Sequence, residues 1–190
     1  MSEGLSEIWR ISPLTSVHAT LVCCGHPRTV WKHGCFAVSE MLVRRRSEHN
    51  DGEIGSLEEL SLAQERLGKI EHLQNWCSGL RILLLQDNLI PAIENVGRLK
   101  RLEYLNLALN CVERVDGLQG CESLCKLDLT LNFVGELSSV ATLRHNLALR
   151  CLSVPSLHTA SQFRIVDVIT TTILEGYVVT PTWKAVTLIY

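Results

Sequence analysis

LRILLLQDN at residues 80–88, LEYLNLALN at 102–110 and LCKLDLTLN at 124–132 are one string written three times, L-x-x-L-x-L-x-x-N. An earlier copy, LEELSLAQE, opens at Leu57, and a decaying one, LRCLSVPSL, opens at Leu149. The openings at Leu57, Leu80, Leu102 and Leu124 lie 23, 22 and 22 residues apart, and the fifth follows after 25. A fixed period of this size means stacked structural units, each too small to bury its own apolar face. Within x-L-x-L-x, side chains alternate across a short strand. Leu60, Leu83, Leu105 and Leu127 therefore point inward together with Leu62, Leu85, Leu107 and Leu129.

This pattern predicts an α/β leucine-rich-repeat solenoid of four to five repeats of 22 residues. Its parallel strands line the concave side, and short helical or 3-10 turns form the convex side. Burial of each leucine is worth about 1.5–3 kcal/mol. Asn88, Asn110 and Asn132 follow the strands where the chain leaves the sheet and backbone groups lose their ladder partners. An inward amide satisfies them, which makes the three asparagines a structural ladder and not a catalytic set. Glu65 takes that place in the first repeat, a substitution that suits a turn beside an end cap, partly open to water. The return segments carry apolar residues three apart (Leu67, Ile70, Leu73; Ile90, Ile93, Val96; Val112, Val115, Leu118), the spacing of a tight helical turn.

Around this core the chain divides into a loose leader at 1–38, a cap helix within 39–52, the repeats at 53–152 and a tail at 153–190. Ser39 is the expected N-cap of a helix running to His49, with Asn50-Asp51-Gly52 as its stop. Arg44, Arg45 and Arg46 read as a solvated helix face. Without a recognisable cap after Leu152, the interior at Leu149, Leu152 and Val154 is left open, so that either the tail supplies a cover or the end frays.

The chain has 190 residues, 46% of them apolar, with 18 basic against 20 acidic side chains, a formal charge of −2. That composition excludes wholesale disorder and provides no chain-wide field for nucleic acid or an anionic membrane. No apolar run reaches the roughly 18 residues of a membrane span. The start lacks a signal peptide's basic region and apolar core, so the chain reads as intracellular. Eight scattered cysteines then read as small buried hydrophobes. Cys23, Cys24, His26, His33 and Cys35 supply soft ligands, but one intervening residue within each pair does not turn the chain around a zinc ion, and no metal or other cofactor is expected. Phosphate-loop, H-E-x-x-H and G-x-S-x-G motifs are missing, and no enzyme is expected.

Alternation leaves Glu59, Ile82, Tyr104 and Lys126 in one outward column, Ser61, Leu84, Asn106 and Asp128 in the next, and Ala63, Gln86, Ala108 and Thr130 in a third. Ile82, Leu84 and Tyr104 form an apolar patch of the kind that marks interfaces. Tyr104 is its expected anchor and Lys126 and Asp128 its polar rim. Ile82, Leu84, Tyr104, Asn106, Lys126 and Asp128 are the candidate partner-binding residues.

The residues filling the x positions are more specific than the repeat. SLEELSL at 56–62, LKRLEYLNLALN at 99–110 and GCESLCKLDLTLNFVGELSS at 120–139, with the arginine-rich helix and Glu48-His49-Asn50-Asp51, resemble the tilB-homologue family of leucine-rich-repeat dynein axonemal assembly factors. The likeness runs from about Met41 to Leu152. It implies a non-catalytic, cytoplasmic, cilium- or flagellum-associated factor for pre-assembly of dynein arms. The partners it implies are dynein chains, chaperones and a MYND zinc-finger assembly protein, with no nucleic acid or membrane. In that family a Gly-Asn-Pro turn and helix close the solenoid, and a charged linker and CS-type β-sandwich follow. Here Ser153-Val-Pro-Ser follows Leu152, so the chain is expected to be a shortened form. The 22-residue repeat class also accommodates a phosphatase regulator or a spliceosomal repeat protein.

Overall fold

A computed structural model of the chain describes residues 35–135, 137–155 and 185–189. Five parallel strands succeed one another as β1 (Glu59–Ser61), β2 (Ile82–Leu84), β3 (Tyr104–Asn106), β4 (Lys126–Asp128) and β5 (Cys151–Pro155). A sixth, β6 (Ala185–Ile189), extends the same sheet in chain order. Leu60, Leu83, Leu105, Leu127 and Leu152 are register partners from rung to rung. All five are fully buried, as are Leu62, Leu85, Leu107 and Leu129 on the next inward position. This is the leucine-rich-repeat solenoid that the period demands.

The asparagine ladder joins consecutive coils. Asn110 Oδ1 accepts the Ile90 N–H at 3.0 Å, while its Nδ2 donates to the carbonyls of Leu85 at 2.8 Å and Leu107 at 3.1 Å. Asn88 accepts from Leu67 and donates to Leu62 and Leu85, and Asn132 accepts from Val112 and donates to Leu107 and Leu129. Each amide therefore satisfies backbone groups of its own coil and of the coil before it.

Return segments bury their apolar residues as spaced, but few of them become helices. Regular turns form at α2 (Leu73–Trp76), at α3 (Leu137–Val140) and in the 3-10 segment Ala141–His145 that continues it. Between β2 and β4 the returns are too tight for a helix. Gly117 has φ +75°, and a Cβ there would stand 2.2 Å from the Ile93 carbonyl oxygen; one on Gly120 would stand 2.1 Å from that of Gly97. Successive backbones approach so closely that only glycine fits.

The ends differ from expectation. The cap helix α1 (Glu40–Arg46) begins at Ser39, whose hydroxyl accepts the Leu42 N–H, but it stops three residues short of His49. Buried Ser47 donates its hydroxyl to the Arg44 carbonyl, and a 3-10 turn takes over at Glu48–Asn50. The three arginines are not merely solvated. Arg44 pairs with Glu40, and Arg45 and Arg46 both reach Glu65, which ties the cap to the position where the ladder lacks an asparagine. Residues 35–38 of the expected leader also lie on the first repeat: Phe36 bridges Leu67 in parallel, and Val38 is buried. At the other end Leu149, Leu152 and Val154 are buried and β6 pairs along the full length of β5, so of the two expected outcomes the end is covered and not frayed. Residues 156–184 of the expected tail lie outside the described residues.

Along the edge of the sheet a charge ladder runs through the position after the opening leucine of the first three repeats. Arg81 Nε donates to Glu103 at 2.8 Å, its Nη1 reaches Glu58 at 3.3 Å, and Arg101 reaches Glu58 at 3.7 Å. The Arg81 hydrogen bond holds the Glu103 carboxyl below the usual carboxylate range, and Arg81 is raised in turn, mainly by the same bond. The pairs are open to solvent, so they set register more than they add stability.

Replacing Asn110 with alanine orphans buried backbone groups on two coils and is expected to lower unfolding free energy by about 1–3 kcal/mol, read from the urea midpoint at unchanged slope. A depressed folded-state pKa stabilises above the unfolded value and is lost as pH falls through the folded one. The Glu103 side-chain 13C titration should therefore have its midpoint below about 4.3 in the native chain, and Arg81→Gln should return it to that value.

Candidate protein-docking face

Because the register never slips, the outward residues of β1 to β4 stack into columns. Glu59, Ile82, Tyr104 and Lys126 are successive partners, continued by Cys151, and Ser61, Leu84, Asn106 and Asp128 are the parallel set, continued by Ser153. Ile82, Leu84 and Tyr104 are half-buried on adjacent rungs, Glu59 and Lys126 are exposed, and Ser153 is buried. The structure thus brings the six candidate residues onto one face. Lys126 Nζ sits 4.4 Å from the Tyr104 ring centroid, close enough for cation–π attraction. The ammonium leans on the ring's face, which steadies the tyrosine at the centre of the patch.

Two members of that set do more local work than a rim. Asn106 Oδ1 accepts the Ala108 N–H at 3.0 Å, and Asp128 Oδ1 accepts both the Thr130 N–H at 3.0 Å and its hydroxyl at 2.6 Å. Each folds over its own strand exit in an Asx-type turn and presents only its other polar atom outward. The third column, Ala63, Gln86, Ala108 and Thr130, is half-buried and low. Beyond it, Gln64 Nε2 donates to Asp87 at 3.0 Å between the first two coils.

Sequence reasoning set aside Glu59 and overlooked the charges beside it. Glu58, Arg81 and Glu103 share one offset in three consecutive copies and alternate in sign, a signal that appears once the copies are aligned. These charges are consumed by each other.

Burial pushes the thiols of Cys77 and Cys121 up to about 11, so both stay protonated at neutral pH and are poor nucleophiles. Cys125 and Cys151 carry free thiols and, like Cys35, are half-buried, whereas Cys111 is disulfide-bonded, unlike the free thiol expected of it. The cysteine–histidine group at 23–33 lies outside the described residues, and among those described no three potential ligands converge on a metal position. Among the described residues, too, no helix is long and apolar enough to cross a membrane.

Comparison with solved structures agrees with the architecture. The chain superposes on a chain of the Drosophila melanogaster SNF/U2A′ complex with a TM-score of 0.63, covering 80% of this chain and 83% of that one at 20% identity. It superposes on internalin C2 of Listeria monocytogenes with a TM-score of 0.53, over 71% and 53% of the two chains at 20% identity. At that identity the likeness concerns the fold alone. No family model matches the chain. Curated relatives match it closely: dynein axonemal assembly factor 11 of Danio rerio is 68% identical over 113 residues, and that of Mus musculus 61% over the same length. Protein tilB of Drosophila melanogaster is 61% identical over 72 residues. The 113 residues are 60% of this chain, yet the chain spans only about a quarter of the vertebrate relatives it matches, 26% and 24%. The rungs, the ladder and this identity agree that the repeat region of the chain is similar to the matching quarter of dynein axonemal assembly factor 11 and to part of protein tilB.

Proposed function

We propose that the chain is a non-catalytic protein-interaction scaffold acting in the cytoplasmic pre-assembly of axonemal dynein arms, and so in ciliary or flagellar motility. The observation that carries the reading is the patch of Ile82, Leu84 and Tyr104 on adjacent rungs, within a repeat region whose relatives bear that assembly name. Large apolar groups held half out of water on a rigid sheet are expensive to solvate unless another surface covers them. Dynein chains, chaperones and a MYND zinc-finger assembly protein are the partners this role requires. Tyr104 supplies the anchor, Leu84 and Ile82 the surrounding apolar contact, and Lys126 with the free polar atoms of Asn106 and Asp128 the orienting rim.

The phosphatase-regulator and spliceosomal alternatives have less behind them. Their support is the shared architecture, which many unrelated functions use.

Leu84→Asp and Tyr104→Asp place charge in the patch without touching the inward leucines or the ladder. Tagged full chain expressed in ciliated cells is expected to co-precipitate dynein chains or assembly factors. The double variant should recover them about tenfold less or worse, the loss that follows removal of an anchor worth about 1.4–2 kcal/mol, with circular dichroism unchanged. Undiminished recovery would remove this face from the function. A phosphatase catalytic subunit or small nuclear RNA in place of dynein components would replace the assembly role.

A further inference from the structure

The two edges of the sheet differ. On the β1 side the cap helix α1 lies against the first strand, with Val43 in the core and Arg45 and Arg46 tied to Glu65. On the other side β6 is the last strand, and among the described residues no strand pairs with its outer edge. A strand bonded on one side only directs a row of N–H and C=O groups outward, which is a template for another strand.

Edge strands that stay unpaired carry devices against a neighbour: extreme shortness, a charge, a proline or a bulge. Strand β6 has none of these. It runs for five residues where β1 to β4 have three each, and it matches β5 residue for residue. Its sequence, Ala-Val-Thr-Leu-Ile, holds no charge and no proline, and Val186, Thr187 and Ile189 are β-branched, the type that suits a strand.

This strand is also complementary to itself. Laid antiparallel against a second β6, with a two-fold axis at Thr187, it opposes Ala185 to Ile189, Val186 to Leu188 and Thr187 to Thr187. Small faces large at the ends, aliphatic meets aliphatic in between, and two hydroxyls meet at the centre. Favourable cross-strand pairs contribute about 0.2–1 kcal/mol each, and no like charges are opposed. Antiparallel pairing is also the more stable per residue. Head-to-tail addition would need the β1 edge of the next copy, where the cap helix lies. Growth into a fibre is therefore blocked, and the closed two-fold pairing is left.

We infer that β6 is a self-association edge whose occupant is β6 of a second copy of this chain, paired antiparallel so that one sheet runs through both solenoids. This pairing goes beyond the docking role proposed for the concave face and does not depend on it. Five residues a side make a contact smaller than the roughly 1,200 Å² at which stable interfaces begin, so association at about 10–100 μM is expected.

In sedimentation equilibrium the full chain should pass from the mass of one copy at about 1 μM to that of two at about 500 μM, and no further. Over the same range amides within 185–189 should exchange with deuterium at least several-fold more slowly, while those of 82–84 keep their rates. Because residue 187 faces itself across the axis, Thr187→Lys opposes two ammonium groups and Thr187→Glu two carboxylates. Each variant alone should dimerise at least about tenfold more weakly, and an equimolar mixture should restore association, a rescue that misfolded chains would not give. A wild-type chain that stays monomeric with unchanged exchange would overturn the proposal. Protection of 185–189 already complete at the lowest concentration would do the same, giving the edge to other residues of the same chain. Growth past two copies would overturn the closed pairing. Variants that dimerise undiminished, or well-folded variants that fail to rescue each other, would place the contact elsewhere. The wild-type measurements decide the matter even if neither variant folds.

Discussion

No coil of this chain can keep its own leucines dry, and that dependence on the next coil organises everything else. Leu105 is buried because Leu83 and Leu127 flank it in register, and each of those needs the same service from its far side. Stability in such an array is a sum over interfaces between neighbours, not the property of one central core. The asparagine ladder enforces the same dependence through polar groups: Asn110 binds the backbone of its own coil and of the preceding one, so a coil that slipped would orphan both. Apolar and polar terms select a single register, and a one-residue slip would turn the leucines outward.

The docking face is a by-product of that register. Once the inward residues are fixed, the outward ones must line up, whether or not they were chosen to. What distinguishes this chain is the content of the columns. In the first three coils the charges at the position after the opening leucine are paired across coils. On the face proper Glu59 stands on β1 and Lys126 with Asp128 on β4, with the apolar rungs of Ile82, Leu84 and Tyr104 between them. The same geometry produces a charge ladder beside the sheet and an apolar centre on it.

Period, inward leucines and ladder asparagines were all legible in the sequence because they repeat, and repetition reveals a contact that lies 20 or more residues away. Features made once were not. Nothing about Glu65 in isolation announces that two arginines of the cap helix will meet it, although the absence of asparagine there marks the place where something must. Position alone puts Asp128 on a rim and Asn106 on the same face, but short polar side chains beside a strand exit bond first to their own backbone, which no column count registers. Strand β6 comes after a gap of 29 residues from β5, far outside the period, and so carried no repeat to betray it. The cap ends early because Ser47 bonds back to Arg44 and lets the chain tighten into a 3-10 turn, a choice made by one hydroxyl.

The register also overrules local preference. The residue just before each ladder position is left-handed: Gln64 at φ +61°, Asp87 at +57°, Leu109 at +56° and Leu131 at +55°. Asparagine, aspartate or glycine accept that conformation readily, whereas leucine is disfavoured there by roughly 1–2 kcal/mol. Asp87 obeys preference; Leu109 and Leu131 do not, and Leu131 is also half-exposed, so burial does not compensate it. Their backbone is held by the neighbouring residue in the chain and by the coil alongside. The next residue must aim its amide inward, and the leucine N–H must reach the strand exit of the next coil, as Leu109 reaches Thr130 at 2.9 Å and Asp87 reaches Ala108 at 3.0 Å. At Gln64, Asp87 and Leu109 this bond from one coil to the next leaves little freedom for the residue that makes it. The left-handed turn is therefore a property of the stack, imposed on whichever side chain occupies the position.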